Sequence, residues 1–140
     1  MDTDGLITTL PLSAIISVIR GKPSPPMPGR LSTHVLDLTT GRPAAGMRIE
    51  LWNLDGKPHQ LKAVVTNLDG RTDEPLLASA TMVVGTYELL FFVKDYFVTH
   101  HKDSPFLDRV PVRFALADAK ATYHIPLLVT PWAYQTYRGS

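Results

Sequence analysis

Met47-Arg48-Ile49-Glu50-Leu51-Trp52-Asn53-Leu54-Asp55-Gly56 alternates Met, Ile and Leu with Arg, Glu and Trp and then runs into a turn. Successive side chains of an extended chain point to opposite faces, so a period of two marks a strand with one buried face. Asn53-Leu54-Asp55-Gly56 is a hairpin signal, because Asn, Asp and Gly tolerate the backbone conformations that a tight reversal needs. Leu61 to Thr66 reads as the returning antiparallel partner. A further turn, Asn67-Leu68-Asp69-Gly70, leads into Arg71 at the expected start of another strand.

The same pattern extends in both directions. Ser32 to Leu38 carries alternating Val and Leu and stops at Thr40-Gly41-Arg42-Pro43. Gly85 to Val93 is a long strand whose continuous apolar run predicts burial on both faces. Arg109 to Leu116 sets Val110, Val112, Phe114 and Leu116 against polar neighbours, Tyr123 to Val129 is a further strand, and Tyr134 to Tyr137 a short last one. Lys94 to Lys102 breaks the period of two and places Tyr96, Phe97 and His100 at helical spacing, which predicts one short helix. Seven or eight short strands with frequent turns and one helix predict an all-β fold, a two-sheet β-sandwich.

Composition narrows the function classes. The chain has 140 residues, enough for one domain with a substantial core. A net charge of +1 without a dense Lys/Arg stripe argues against a nucleic-acid partner. The absence of cysteine excludes disulfides, thiolate metal sites and a cysteine nucleophile, and it fits a cytoplasmic protein. Leu6 to Ile19 is mostly apolar but too short to span a bilayer. Asp2 and Asp4 precede it where a secretory signal would carry positive charge. Gly21 to Gly29, with four prolines, reads as a stiff linker. Residues 1–30 are therefore expected to be an N-terminal extension and Pro-rich linker, and residues 31–140 the domain.

Five histidines are the main candidates for chemistry. His59 falls in a turn region and reads as a solvated loop residue. His100 and His101 stand near the helix end, where cations complement the helix dipole. His34 and His124 differ, since each sits inside an apolar strand, Thr33-His34-Val35-Leu36 and Tyr123-His124-Ile125-Pro126. On residue type alone a strand histidine is more often structural, and Arg71 after its turn is by default a surface charge. Two imidazoles without an obvious acidic third ligand are weak evidence for zinc. No nucleophile elbow, phosphate-binding loop or dinucleotide-binding glycine motif is present. The residues alone thus lead to a β-sandwich with two strand histidines, and to no particular reaction.

Three separated segments carry a resemblance. They are Ser32-Thr33-His34-Val35-Leu36-Asp37 continued by Gly41 to Gly46, then Thr66-Asn67-Leu68-Asp69-Gly70-Arg71, and finally Tyr123 to Pro131 followed by Tyr134-Gln135-Thr136-Tyr137-Arg138-Gly139-Ser140. In these the chain resembles the transthyretin-like family, over Leu31 to Ser140. The ending Tyr137-Arg138-Gly139-Ser140 resembles the 5-hydroxyisourate hydrolase branch, whereas the hormone-carrying branch lacks it and the His/Arg set. Ile125, Val129 and Thr130 depart from the family pattern conservatively, with effects expected on packing only. Residues 1–30 have no counterpart in the minimal family domain.

The resemblance implies a transthyretin-like sandwich that assembles as a homotetramer, a dimer of dimers. It implies hydrolysis of 5-hydroxyisourate to 2-oxo-4-hydroxy-4-carboxy-5-ureidoimidazoline in urate catabolism. His34, Arg71, His124 and Ser140 would be catalytic and Tyr137 and Arg138 substrate-binding, with no metal and no cofactor. Which histidine acts as base stays open. The alternative is a small-ligand carrier of the same fold without hydrolase activity.

Overall fold

The computed structural model describes residues 28–139. Expectations for the apolar segment, for most of the linker and for Ser140 lie outside the described residues. The strands are β1 (Arg30–Asp37), β2 (Arg42–Pro43), β3 (Arg48–Asn53), β4 (His59–Val65), β5 (Leu77–Ala78), β6 (Gly85–Phe91), β7 (Val110–Leu116), β8 (Thr122–Val129) and β9 (Tyr134–Thr136). Among the described residues one α-helix, α1 (Val93–Thr99), lies between β6 and β7. Over the described residues the chain therefore forms the two-sheet β-sandwich with one short α-helix.

One sheet runs β9-β8-β1-β2, with β5 also pairing the start of β1, and the other runs β4-β3-β6-β7. The second sheet is antiparallel throughout. In the first, β1 and β8 are parallel from Arg30↔Thr122 to Asp37↔Val129. Leu31, Val35, Ile125, Leu127 and Val129 from this sheet meet Ile49, Leu51, Tyr87, Leu89 and Phe91 from the other in one apolar core. Because side chains alternate, the same strands turn Ser32, His34, Leu36, His124 and Leu128 to the opposite, half-exposed face.

Three local readings differ from the sequence expectation. β6 is not buried on both faces: Tyr87, Leu89 and Phe91 are inside while Thr86, Glu88 and Leu90 are half-exposed. The long apolar run arises because Phe92 and Val93 are also buried where the chain turns into α1. The helix ends at Thr99 rather than Lys102, since His101 adopts φ 59° and the Lys102 N–H bonds back to the Phe97 carbonyl at 2.9 Å. His59 opens β4 instead of lying in the turn, although it is exposed as expected.

α1 is fastened to the first sheet through a buried carboxylate. Asp37, 1% exposed, accepts from the Tyr96 hydroxyl at 2.9 Å and from the Thr39 N–H and hydroxyl at 2.8 and 2.6 Å. A buried acceptor left unpaired would be costly, so these three donors are what make the position tenable. Burial, and then the hydrogen bond and charge of Asp37, push the Tyr96 phenol well above its usual range. The Tyr96 phenol thus keeps its proton across neutral pH, and the end of β1 is held firmly.

Candidate active site

His34 and His124 come together because β1 and β8 are neighbours and both residues have outward parity. Ser32 pairs with His124 and His34 with Pro126 in the parallel register. The buried Thr33 hydroxyl donates to the Ile125 carbonyl at 2.7 Å and fastens the two strands between the histidines.

Arg71 is brought beside them by the Asn67–Gly70 turn. The Asn67 side-chain oxygen accepts from the N–H groups of Asp69 (2.9 Å) and Arg71 (3.1 Å). The Asn67 N–H donates to the Arg71 carbonyl at 2.8 Å and the Gly70 N–H to the Asn67 carbonyl at 2.9 Å. The closed turn then docks on β1, where the Val35 N–H donates to the Gly70 carbonyl at 2.8 Å. Gly70 has φ +73°, and a Cβ there would collide with the Val35 carbonyl oxygen, so glycine is required on both counts. Arg71 itself lies in an irregular segment, not at the start of a strand as expected. That segment and β1 enclose a polar hollow of about 270 Å³, lined by Arg30, Ser32, Thr33, Arg71, Asp73 and Glu74 among others.

The electrostatics agree with this placement. Burial first, and then the Arg71 charge, hold the His34 imidazole below its ordinary pKa of 6.5, while the Asp69 carbonyl and carboxylate pull it upward. His124 is lowered by burial, by Arg71 and by His34, in that order. Each histidine therefore presents a neutral ring at neutral pH, next to a permanent guanidinium cation. Among the described residues, no group of three His, Cys, Asp or Glu side chains is placed to hold a metal ion.

The C-terminal segment reaches the site through its backbone. β9 pairs with β8 as Thr136↔Leu127, and the chain meets β8 again at a His124↔Gly139 bridge. Pro126 has no N–H to donate and stands at this interruption, where the Thr136 hydroxyl donates to its carbonyl at 2.7 Å. The Gly139 N–H donates to the His124 carbonyl at 2.7 Å.

Tyr137 and Arg138, read as substrate-binding, line a separate apolar cavity of about 230 Å³ with Val112, Phe114, Tyr123 and Ile125. The Arg138 guanidinium lies 4.5 Å from the Tyr123 ring centre and donates to the Thr122 carbonyl at 3.1 Å. Within one chain these two side chains thus face away from the His34–Arg71–His124 cluster. Ser140 lies outside the described residues. The remaining histidines stay apart from the site: His59 contacts the Lys57 carbonyl at 3.1 Å, His100 the Tyr96 carbonyl at 2.8 Å, and His101 shapes the helix end.

Sequence reasoning singled out neither Ser32 nor Asn67, although both fall inside the segments that carried the resemblance. Their only local signals are parity with His34 for Ser32 and the Asn-x-Asp-Gly turn for Asn67.

A sequence model described as the HIUase/Transthyretin family matches residues 31–139. The chain belongs to the HIUase/Transthyretin family. Its relatives within that family include "5-hydroxyisourate hydrolase 2" of Rhizobium meliloti, 51% identical over 116 residues, which is 80% of this chain and 97% of the relative. The solved structure of Klebsiella pneumoniae 5-hydroxyisourate hydrolase is 34% identical with a TM-score of 0.68, over 79% of this chain and 99% of that one. An (S)-allantoin synthase structure is 38% identical with a TM-score of 0.77, over 91% of this chain and 49% of that one. The HIUase/Transthyretin fold accounts for the matched region, and the His/Arg cluster lies wholly within it. Ile125 and Val129 are core residues, and the Thr130 hydroxyl accepts from the Trp132 and Ala133 N–H groups, at 3.0 Å each.

Proposed function

We propose that this chain is a 5-hydroxyisourate hydrolase. The observation that carries the reading is the convergence of His34, Arg71 and His124, two imidazoles held neutral beside one fixed cation, in a member of this family. Relatives about half identical over most of the chain carry that enzyme's name.

Hydrolysis of the cyclic amide-like C–N bond forms a new bond from water oxygen to the carbonyl carbon and breaks the bond to nitrogen. One water proton must be taken up, the carbonyl oxygen must carry negative charge in the tetrahedral intermediate, and the leaving nitrogen must receive a proton. In this reading His34 and His124 handle the protons, and Arg71 stabilises the oxyanion with its planar donor set. Ser140, next to Gly139, helps position water or substrate. Acid–base work contributes ~10²–10⁴-fold and oxyanion stabilisation ~10²–10³-fold. Together these lower the barrier by about 5–10 kcal/mol, without a metal or a covalent intermediate.

A dimer of dimers is part of the same reading. The site face carries the half-exposed Leu36 and Leu128 beside the histidines, so a second copy packed there would dry the site. Tyr137 and Arg138 of another copy could then approach the cluster that they do not meet within one chain. The cytoplasmic placement and the division into an extension over residues 1–30 and a domain over 31–140 belong to the proposal as well.

The test uses 5-hydroxyisourate freshly generated from urate by urate oxidase, its ultraviolet decay followed with and without protein, beside a His124→Ala control. Accelerated decay that the substitution abolishes supports the hydrolase. Decay at the spontaneous rate with folded protein points instead to a small-ligand carrier.

Two further outcomes are expected. EDTA leaves turnover unchanged; loss that zinc restores would overturn the metal-free reading. The second concerns pH. Both histidines are lowered below 6.5, so both remain unprotonated until the pH falls beneath that value. The acid limb of kcat/KM should therefore have its midpoint below pH 6.5. A midpoint above 6.5 contradicts the assignment.

A further inference from the structure

His124 is held on both edges of its ring. On one edge Nδ1 lies 2.9 Å from the Ser32 hydroxyl oxygen, across the β1–β8 pairing that puts these two residues side by side. On the other edge stands Gly139. A Cβ built there would come within 2.8 Å of His124 Cδ2, a distance that real Cβ atoms essentially never show. Gly139 is also tied to the His124 backbone at 2.7 Å, so it cannot easily withdraw. The ring is clamped between a hydroxyl and a glycine backbone, and Nε2 is the nitrogen left for the site.

We propose that Ser32 is a positioning residue for His124, its hydroxyl accepting from Nδ1–H and so fixing the tautomer in which Nε2 carries a lone pair and serves as the general base. The inference rests on the hydrolase reading and deepens it, because it assigns the base between the two histidines. The direction of the hydrogen bond follows from the role of the ring: a general base needs a lone pair on the nitrogen turned to the site, and Nε2 is the nitrogen that Ser32 does not hold. Nδ1 then keeps the proton, and a serine hydroxyl, able to donate or to accept, accepts it. Ser32 also lines the polar hollow beside Arg71, so the same hydroxyl connects the orientation of the base to the place where a polar substrate edge would lie. Orientation of a catalytic histidine by a third group is a general requirement for an efficient base.

The experiment combines histidine ¹⁵N NMR of the full chain with steady-state kinetics for the wild type, Ser32→Ala, Ser32→Thr and Gly139→Ala. The wild type should show His124 protonated at Nδ1. Ser32→Ala should shift it toward the Nε2–H tautomer that free histidine prefers. It should also lower kcat on the order of 10–100-fold, with KM little changed. Ser32→Thr keeps the hydroxyl and should restore both the tautomer and the rate. Gly139→Ala, which pushes on the ring from the other edge, should lower kcat while Nδ1 stays protonated. An Nε2–H tautomer in the wild type overturns the proposal, as does a Ser32→Ala variant that keeps both the tautomer and kcat. If the wild type does not hydrolyse 5-hydroxyisourate at all, the functional reading fails, while the tautomer measurement still decides the role of Ser32.

Discussion

Arg71→Ala is expected to lower kcat/KM for 5-hydroxyisourate by about 10²–10³-fold, the loss seen when an oxyanion donor is removed. The protein should remain folded, because Arg71 is exposed and substitutions at such positions usually change stability by less than ~0.5 kcal/mol. A second readout separates this role from general disruption. The Arg71 charge is one of the causes that lower His34 and His124, so its removal should raise both pKa values and move the acid limb of the pH profile upward. Arg71→Lys keeps the charge but loses the planar fork of donors; it should leave the acid limb in place and recover only part of the rate. Activity within twofold of wild type in Arg71→Ala would remove Arg71 from the mechanism.

Phe97→Ala should cost about 3–5 kcal/mol of stability, the usual range for truncating a buried aromatic side chain. Phe97 is fully buried in the common core and packs edge-on against Tyr96, with ring centres 5.1 Å apart. Its loss leaves a cavity beneath α1 that the two sheets, joined by their own hydrogen bonds, cannot close. Tyr96→Phe gives the contrast: it removes one donor from Asp37 while the two Thr39 bonds remain, a loss of about 1–2 kcal/mol. Urea denaturation at one fixed protein concentration compares the three proteins, since assembly would make the midpoint concentration-dependent. A Phe97→Ala loss below that of Tyr96→Phe would mean that α1 contributes little to the core.

The strands could be read from the chain because their cause is local. A half-buried strand must alternate, and Met47 to Leu51 and Arg109 to Leu116 do so where one face meets the core, whereas in Ser32 to Leu38 the buried positions are Thr33, Val35 and Asp37 while Leu36 and Leu38 face outward. The Asn53–Gly56 turn could be read for the same reason, its Asn side chain accepting from the Asp55 N–H at 2.8 Å. The errors came where two local patterns abut. Leu89 to Val93 merges a strand with a buried helix start, and the left-handed His101 ends a helix that composition would have continued. β5 has only two residues, too few for a periodic signal.

The sequence by itself determined that the chain forms a two-sheet β structure of short alternating strands, with His34 and His124 inside two of them. Motif resemblance pointed to the histidines and Arg71. Only the tertiary structure decided that they meet. Ser32 and His124 are 92 residues apart and touch because β1 and β8 pair in parallel. Arg71 joins them because the Asn67–Gly70 turn docks on the β1 backbone at Val35. Tyr137 and Arg138, drawn from the same motif as Gly139, were turned toward a different cavity. The physical reason is that alternation fixes the face on which a side chain stands, whereas its neighbours on that face follow from strand order, register and turn docking, which depend on contacts between distant parts of the chain.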